Sequence, residues 1–231
     1  MGELKSRFIT MASHEFRTPL STILSSADLM LAYKTTEQQD KRERHYAKIK
    51  ASVENLNTIL NDFLSLSRLD EGLVELENED FVLEDFFAQV FDEAAGVLKK
   101  GQTIVPNHHL PPQFSVCLDK KSVRMVLMNL ISNASKYSNE NQKIICQTSQ
   151  NPLCIRVIDE GIGIPDADKP HMFDRFFRAS NVTNIKGTGL GLNIVRRYVE
   201  MMGGSISFES TLGKGSIFTI EFQTTTSPQT I

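Results

Sequence analysis

The sequence predicts an α+β protein: an antiparallel helical hairpin, paired with a second copy as a dimeric four-helix bundle, followed by an α/β sandwich. Three observations predict it. Apolar residues recur at helical spacing over two long stretches near the start of the chain. After about Gly72 the pattern changes to short β-rich segments bounded by turns. Further amphipathic helices lie between those segments, the mixture expected of a layered domain.

From Phe8 to Leu31 the apolar positions Leu20, Ile23, Leu24, Ala27, Met30 and Leu31 form one wide stripe, as a long amphipathic helix requires. A polar stretch from Thr35 to Arg44 follows. Tyr46, Ile49, Val53, Leu56, Leu60 and Phe63 then recur in steps of three and four, a heptad seam. A two-helix hairpin leaves much of these stripes exposed, so a homodimer is expected to cover them.

Asp70-Glu71-Gly72 ends the second helix, which divides the chain into expected domains at 1–72 and 73–231. In the second domain, Phe81 to Lys99 reads as a helix and Gly101 to Pro112 as strand and loop. Lys120 to Tyr137 reads as another helix. Lys143 to Thr148, Leu153 to Asp159, Ser205 to Glu209 and Ser216 to Phe222 are β-rich, the last two joined as a hairpin across Leu212-Gly213-Lys214-Gly215. A helix with Val195, Tyr198, Val199 and Met202 on its buried face stops at Gly203-Gly204.

With 40 % hydrophobic and 23 % charged residues in 231, the composition is that of a folded globular chain. A net charge of -3 supplies no basic field for a nucleic-acid backbone, so no nucleic-acid partner is expected. Cys117, Cys146 and Cys154 lack metal-like spacing and sit among apolar residues, which predicts small buried side chains in a reducing, cytoplasmic compartment. No apolar run reaches the ~20 residues of a membrane span. Gly2-Glu3-Leu4-Lys5 enters the first helix without a cap, so an upstream region is expected to be missing, and the full-length parent could be membrane anchored.

In the helix from Lys120 to Tyr137, Val123, Val126, Leu127, Leu130, Ile131 and Ala134 make the core face, whereas Asn129, Asn133 and Lys136 lie on a neighbouring one. Carboxamide oxygens suit Mg²⁺, and Lys136 can donate to phosphates, which makes Asn133 the expected metal ligand. Read in isolation, these are polar residues on a solvated face. Two glycine clusters change the balance. Asp159 ends an apolar strand and precedes Gly161 and Gly163, leaving a carboxylate able to accept from an adenine amino group. GTGLG at 187 to 191 is not the dinucleotide fingerprint and lacks its βαβ context, so NAD is not expected. Before a helix, Gly187, Gly189 and Gly191 can instead bring backbone N–H groups and the helix terminus to phosphates, with Thr188 and Leu190 inside the same loop.

SHEFRTPL, NLISNASKYS, DEGIGIP, FDRFFR and GTGLGL occur in the order found in bacterial sensor histidine kinases, and the chain resembles that family over nearly its whole length. The resemblance implies a dimerisation and phosphoacceptor domain followed by an Hsp90-like ATP-binding domain. By motif match it implies Asn129 and Asn133 near Mg²⁺, Lys136 and Tyr137 lining ATP, Asp159 on adenine, and Gly161 and Gly163 shaping the pocket. Ala179 to Lys186 resembles an ATP lid, with Arg178 and Lys186 as phosphate contacts, while Phe173, Phe176 and Phe177 pack its base.

Glu15 can orient the imidazole of its neighbour His14 or accept its proton, raising the nucleophilicity of the other ring nitrogen. The resemblance makes His14 the phosphorylation site. Thr18, one turn on, matches a phosphatase motif and could position a water. Pro19 cannot donate to the carbonyl of Glu15, so a bend is expected there. The expected function is autophosphorylation of His14 and transfer to an aspartate on a response-regulator receiver domain. The rivals are a noncatalytic ATP-binding dimerisation scaffold and an Hsp90-like ATPase.

Overall fold

In the computed structural model the described residues are 2–33, 38–150, 152–182, 185 and 187–223, with side chains described from Glu15 onward. The chain divides into two compact units, Met1–Glu71 and Gly72–Ile231.

The first unit is a hairpin of α1 (Gly2–Ala32) and α2 (Gln39–Asp70). Small and aliphatic residues close it: Ser26 on α1, and Ser52, Ile59, Leu66 and Leu69 on α2, are buried. The heptad positions Tyr46, Val53 and Leu60 stay exposed, as do Leu20, Leu24 and Leu31. The helices therefore carry more apolar surface than the hairpin itself covers. α1 runs unbroken through Pro19, and the ring of Phe16 packs 6.1 Å from that of Phe63.

The second unit holds a two-stranded antiparallel pair, β1 (Asn78–Val82) with β3 (Ser115–Asp119), and a five-stranded sheet. The sheet comprises β2 (Thr103–His109), β4 (Lys143–Ser149), β5 (Leu153–Asp159), β6 (Gly204–Thr211) and β7 (Gly215–Phe222), in the order β2-β4-β5-β7-β6. β2 runs parallel to β4 and every other pairing in the sheet is antiparallel. Pro106 lies within β2 on the sheet's edge. The helices α3 (Leu83–Ala94), α4 (Lys120–Tyr137) and α5 (Gly191–Met201) supply Phe86, Phe87, Leu127, Leu130, Ile131 and Val195 to a core shared with Ile144, Ile155 and Ile220 of the strands. Each such fully buried side chain contributes ~1.5–3 kcal/mol of hydrophobic stabilisation.

Two departures from expectation have local causes. The helix expected from Phe81 begins at Leu83, because Phe81 and Val82 pair with Val116 and Ser115 of β3, a strand whose partner lies far back in the sequence. Cys146 and Cys154 are buried as expected, but Cys117 is exposed: it sits opposite Asp80 on the outer side of the β1–β3 ribbon.

Asp119 fixes the start of α4. Its Oδ1 accepts from the amide of Ser122 at 2.7 Å, the N-cap bond, and its Oδ2 from the amide of Glu77 at 2.8 Å. Desolvation pushes this buried carboxyl upward, but the bonds from Ser122 and Glu77 outweigh it and hold it below the usual carboxylate range. At the other end, Nζ of Lys99 donates to the carbonyls of Lys136 and Ser138, satisfying groups the helix leaves open.

Candidate functional site

The α4 face and the first glycine cluster converge on one cleft. Asn133, Tyr137, Asp159, Gly163, Asn181 and Ser216 line it, and it opens to solvent. α4 contributes through its helical spacing, β5 through its C-terminal residue, and β7 through its second.

Asp159 is 7 % exposed at the end of β5. Burial raises its carboxyl to about 6, although it accepts backbone bonds from Gly161 and Ser216. The Gly161 bond spans 2.8 Å. A Cβ on Gly161 would stand 2.5 Å from the carbonyl oxygen of Tyr137, which itself accepts from the amide of Ile162. Gly163 has φ +64, and a side chain there would overlap the carbonyl of Thr211. The loop is thus pressed between the end of α4 and the β6–β7 turn, where Gly213 donates to Ile162 O at 2.8 Å.

The second glycine cluster packs on the same α4 face. A Cβ on Gly191 would come within 2.7 Å of the Asn129 amide, and one on Gly187 within 2.6 Å of Nζ of Lys136. Thr188 is buried and its Oγ1 accepts from the amide of Leu190, holding the entry to α5. Nδ2 of Asn133 donates to Oδ1 of Asn129 at 3.0 Å, which turns the Asn133 oxygen out of that bond. Asn133 lines the cleft and Asn129 stands behind it. The Lys136 ammonium lies 5.0 Å from the centre of the Tyr137 ring, and burial pushes the Tyr137 phenol upward.

The loop from Ala179 is fastened at its base. Arg178 donates to the carbonyls of Val182, at 2.9 Å, and Ile185. Asn181 Nδ2 donates to Gly163 O at 2.9 Å, and Asp168 accepts from both the amide and the hydroxyl of Ser180 at 2.7 Å. Those Ser180 bonds hold the Asp168 carboxyl below its usual range. Phe173 packs edge-on against Phe208, and Phe177 lies 5.4 Å from His171. Lys186 lies outside the described residues.

In the hairpin, His14 belongs to α1, but its side chain also lies outside the described ones. Glu15 is half-buried, and Thr18, one turn further on, is exposed with its carbonyl accepting from Thr22 at 3.0 Å. Sequence reasoning placed Asn181 only within the lid loop and missed Ser216 as a lining residue. The only signal for Ser216 was its place directly after the glycine of a hairpin turn.

Among the described residues no cluster of His, Cys, Asp or Glu could hold a metal, and no helix is long and apolar enough to cross a membrane. The arrangement is a cleft lined by the buried carboxyl of Asp159 and the carboxamide of Asn133, with the Lys136 ammonium and a glycine-rich helix start packed on the same face of α4.

Family models match both units: "His Kinase A (phospho-acceptor) domain" over residues 4–72, and "Histidine kinase-, DNA gyrase B-, and HSP90-like ATPase" over residues 118–226. Autoinducer 2 sensor kinase/phosphatase LuxQ of Vibrio cholerae is 32 % identical over 229 residues, 95 % of this chain and 26 % of the relative. The chain thus spans about a quarter of that protein's length. The Acinetobacter baumannii histidine kinase AdeS is similar with a TM-score of 0.69 at 25 % identity, covering 92 % of this chain and 98 % of that one. Full-length ShkA, solved in complex with AMPPNP, gives a TM-score of 0.66 at 28 % identity over 94 % of this chain and 45 % of that one.

Proposed function

The chain belongs to the histidine kinases, as a catalytic core of phospho-acceptor and ATPase-like domains, and from that premise we propose that it binds ATP with Mg²⁺ and autophosphorylates His14. The phosphoryl group then passes to an aspartate on a response-regulator receiver domain. The observation that carries this reading is the cleft that a buried Asp159 lines together with Asn133 and Tyr137, beside a glycine loop without room for side chains.

Asp159 accepts the adenine amino group, and Gly161 and Gly163 let the backbone close on the base. Tyr137 and Lys136 line the nucleotide. Gly187, Thr188, Gly189 and Gly191 present amides at the start of α5 to the phosphates, the loop being held by the bond from the Leu190 amide to Thr188 Oγ1, with Arg178 and Lys186 on the lid side. The carboxamide oxygen of Asn133, backed by Asn129, fits a hard cation that shares its positions with phosphate and water. Mg²⁺ bound there would offset the charge of the transferring phosphoryl group.

His14 is the acceptor. Its ring nitrogen forms a bond to phosphorus as the bond from phosphorus to the leaving oxygen of ADP breaks, and Glu15 takes the ring proton. Thr18 positions a water for the competing hydrolysis, in which the water oxygen bonds to phosphorus as the bond from phosphorus to the His14 nitrogen breaks and inorganic phosphate leaves. The exposed stripes of α1 and α2 pack against a second copy as a homodimer, and a sensor region outside this chain supplies the signal. The complex of ShkA with AMPPNP supports the nucleotide assignment by similarity.

Incubation with γ-labelled ATP and Mg²⁺ tests the reading. Acid-labile, base-stable label is expected on the chain and absent from His14→Gln; label retained by that variant overturns the assignment.

A further inference from the structure

Ser210, near the end of β6, is the cross-strand partner of Ser216 on β7. Its Oγ lies 2.9 Å from each of three polar atoms: the carbonyl oxygen of Gly215, the amide nitrogen of Ile164 and Oγ of Ser216. A serine hydroxyl has one proton and two lone pairs. The Gly215 carbonyl can only accept, so it takes the Ser210 proton. The Ile164 amide can only donate, so it fills one lone pair. One lone pair remains, and the bond with Ser216 therefore runs from the Ser216 hydroxyl to Ser210. With its proton turned toward Ser210, Ser216 Oγ has only acceptor capacity to offer elsewhere.

Ser216 lines the cleft and is the cross-strand partner of Asp159, whereas Ser210 is not among the lining residues. The Asp159 carboxylate and the Ser216 oxygen are thus two neighbouring acceptors with no proton between them to give. Such a pair suits an amino group and disfavours a carbonyl oxygen in the same place, where lone pairs would face lone pairs.

On the reading that the cleft holds a purine nucleotide, we propose that Ser210 is a specificity-determining positioning residue: by taking up the Ser216 proton it keeps Ser216 an acceptor and biases the site toward 6-amino over 6-oxo purines. Ser210 acts through Ser216 and touches no nucleotide itself.

The test is calorimetric titration of the full chain, with Mg²⁺, against ATP and inosine triphosphate, which carries oxygen in place of the amino group. The wild-type chain is expected to prefer ATP. In Ser210→Ala the Ser216 hydroxyl is released to rotate and donate, and the ATP-to-inosine-triphosphate affinity ratio narrows by about tenfold. Ser210→Thr keeps the hydroxyl and restores the wild-type ratio. Equal weakening of both nucleotides, with the ratio unchanged, makes Ser210 a mere brace and overturns the proposal alone. Should Ser210→Ala fail to fold, Ser216→Ala decides: it removes the acceptor and must narrow the ratio too, and an unmoved ratio rejects the proposal. A wild-type chain that binds neither nucleotide overturns the cleft reading, and this proposal with it.

Discussion

Gly187 approaches Lys136 so closely that a Cβ on the glycine would stand 2.6 Å from the ammonium nitrogen. The second glycine loop meets the last turn of α4 at that ammonium, although the two residues lie far apart in sequence.

The atom in the way is the end of a flexible side chain, so Gly187→Ala should fold with a stability loss below ~1 kcal/mol. ATP binding should weaken about tenfold, because the displaced ammonium no longer reaches a phosphate oxygen with its charge-assisted hydrogen bond. Gly163→Ala should behave oppositely: φ +64 and overlap with the Thr211 carbonyl put the strain in the backbone, at a cost of ~2 kcal/mol or more. Thermal melting and calorimetric titration on both variants separate the two effects.

Asp159 sets stability against function. Its folded-state pKa, raised to about 6 from 3.8, means that the folded chain holds this proton more tightly. The group's stabilisation is complete below 3.8 and is lost as pH rises through about 6. At pH 7.5 Asp159→Asn should therefore melt no lower than wild type, and could gain on the order of 1–2 kcal/mol. It should nevertheless lose ATP binding. In the wild type, affinity should fall as pH drops through 6, because a protonated carboxyl is a poorer partner for the amino group; a flat profile from pH 7.5 to 5.5 would contradict this.

Asp119 joins two elements through one carboxylate. Asp119→Ala removes the α4 cap and frees the Glu77 amide, and a loss of ~1–2 kcal/mol is expected from the cap alone. Because its folded pKa lies below 3.8, its contribution is present above that value and disappears as pH falls through the folded pKa. Denaturant titrations at pH 7 and pH 3 should show a smaller difference between variant and wild type at the lower pH.

Leu24 and Leu60 are 66 % and 47 % exposed in the hairpin. Glutamate at both positions should shift the chain from dimer to monomer in light scattering while leaving the melting of the ATPase domain in place, since none of its core residues is touched. A double variant that remains dimeric puts the interface elsewhere.

Periodicity made the long helices and the later strands legible. Lys120 to Tyr137 was legible from its apolar core face, and Leu153 to Asp159 from its apolar residues, which Arg156 alone interrupts before the terminal Asp159. β1 and β3 were not legible, because their pairing joins Asn78–Val82 to Ser115–Asp119 across an intervening helix and strand, and β1 does not alternate. The hairpin's split between Ile59 and Leu66 inside and Val53 and Leu60 outside could not be read either, since one apolar stripe serves two interfaces. In the cleft, Asn133 and Asp159 announced themselves by motif. Ser210 and Ser216 did not: their roles come from hydroxyl protons whose directions depend on cross-strand neighbours.

Pro106 in the outermost strand has a colloidal consequence. A strand at the border of a sheet offers its bare amides as a template on which another chain can zip, and a pyrrolidine ring there strikes out one donor midway. Copies gathered at high local concentration are thereby kept from fusing border to border into fibres, a safeguard written into a segment remote from any chemistry.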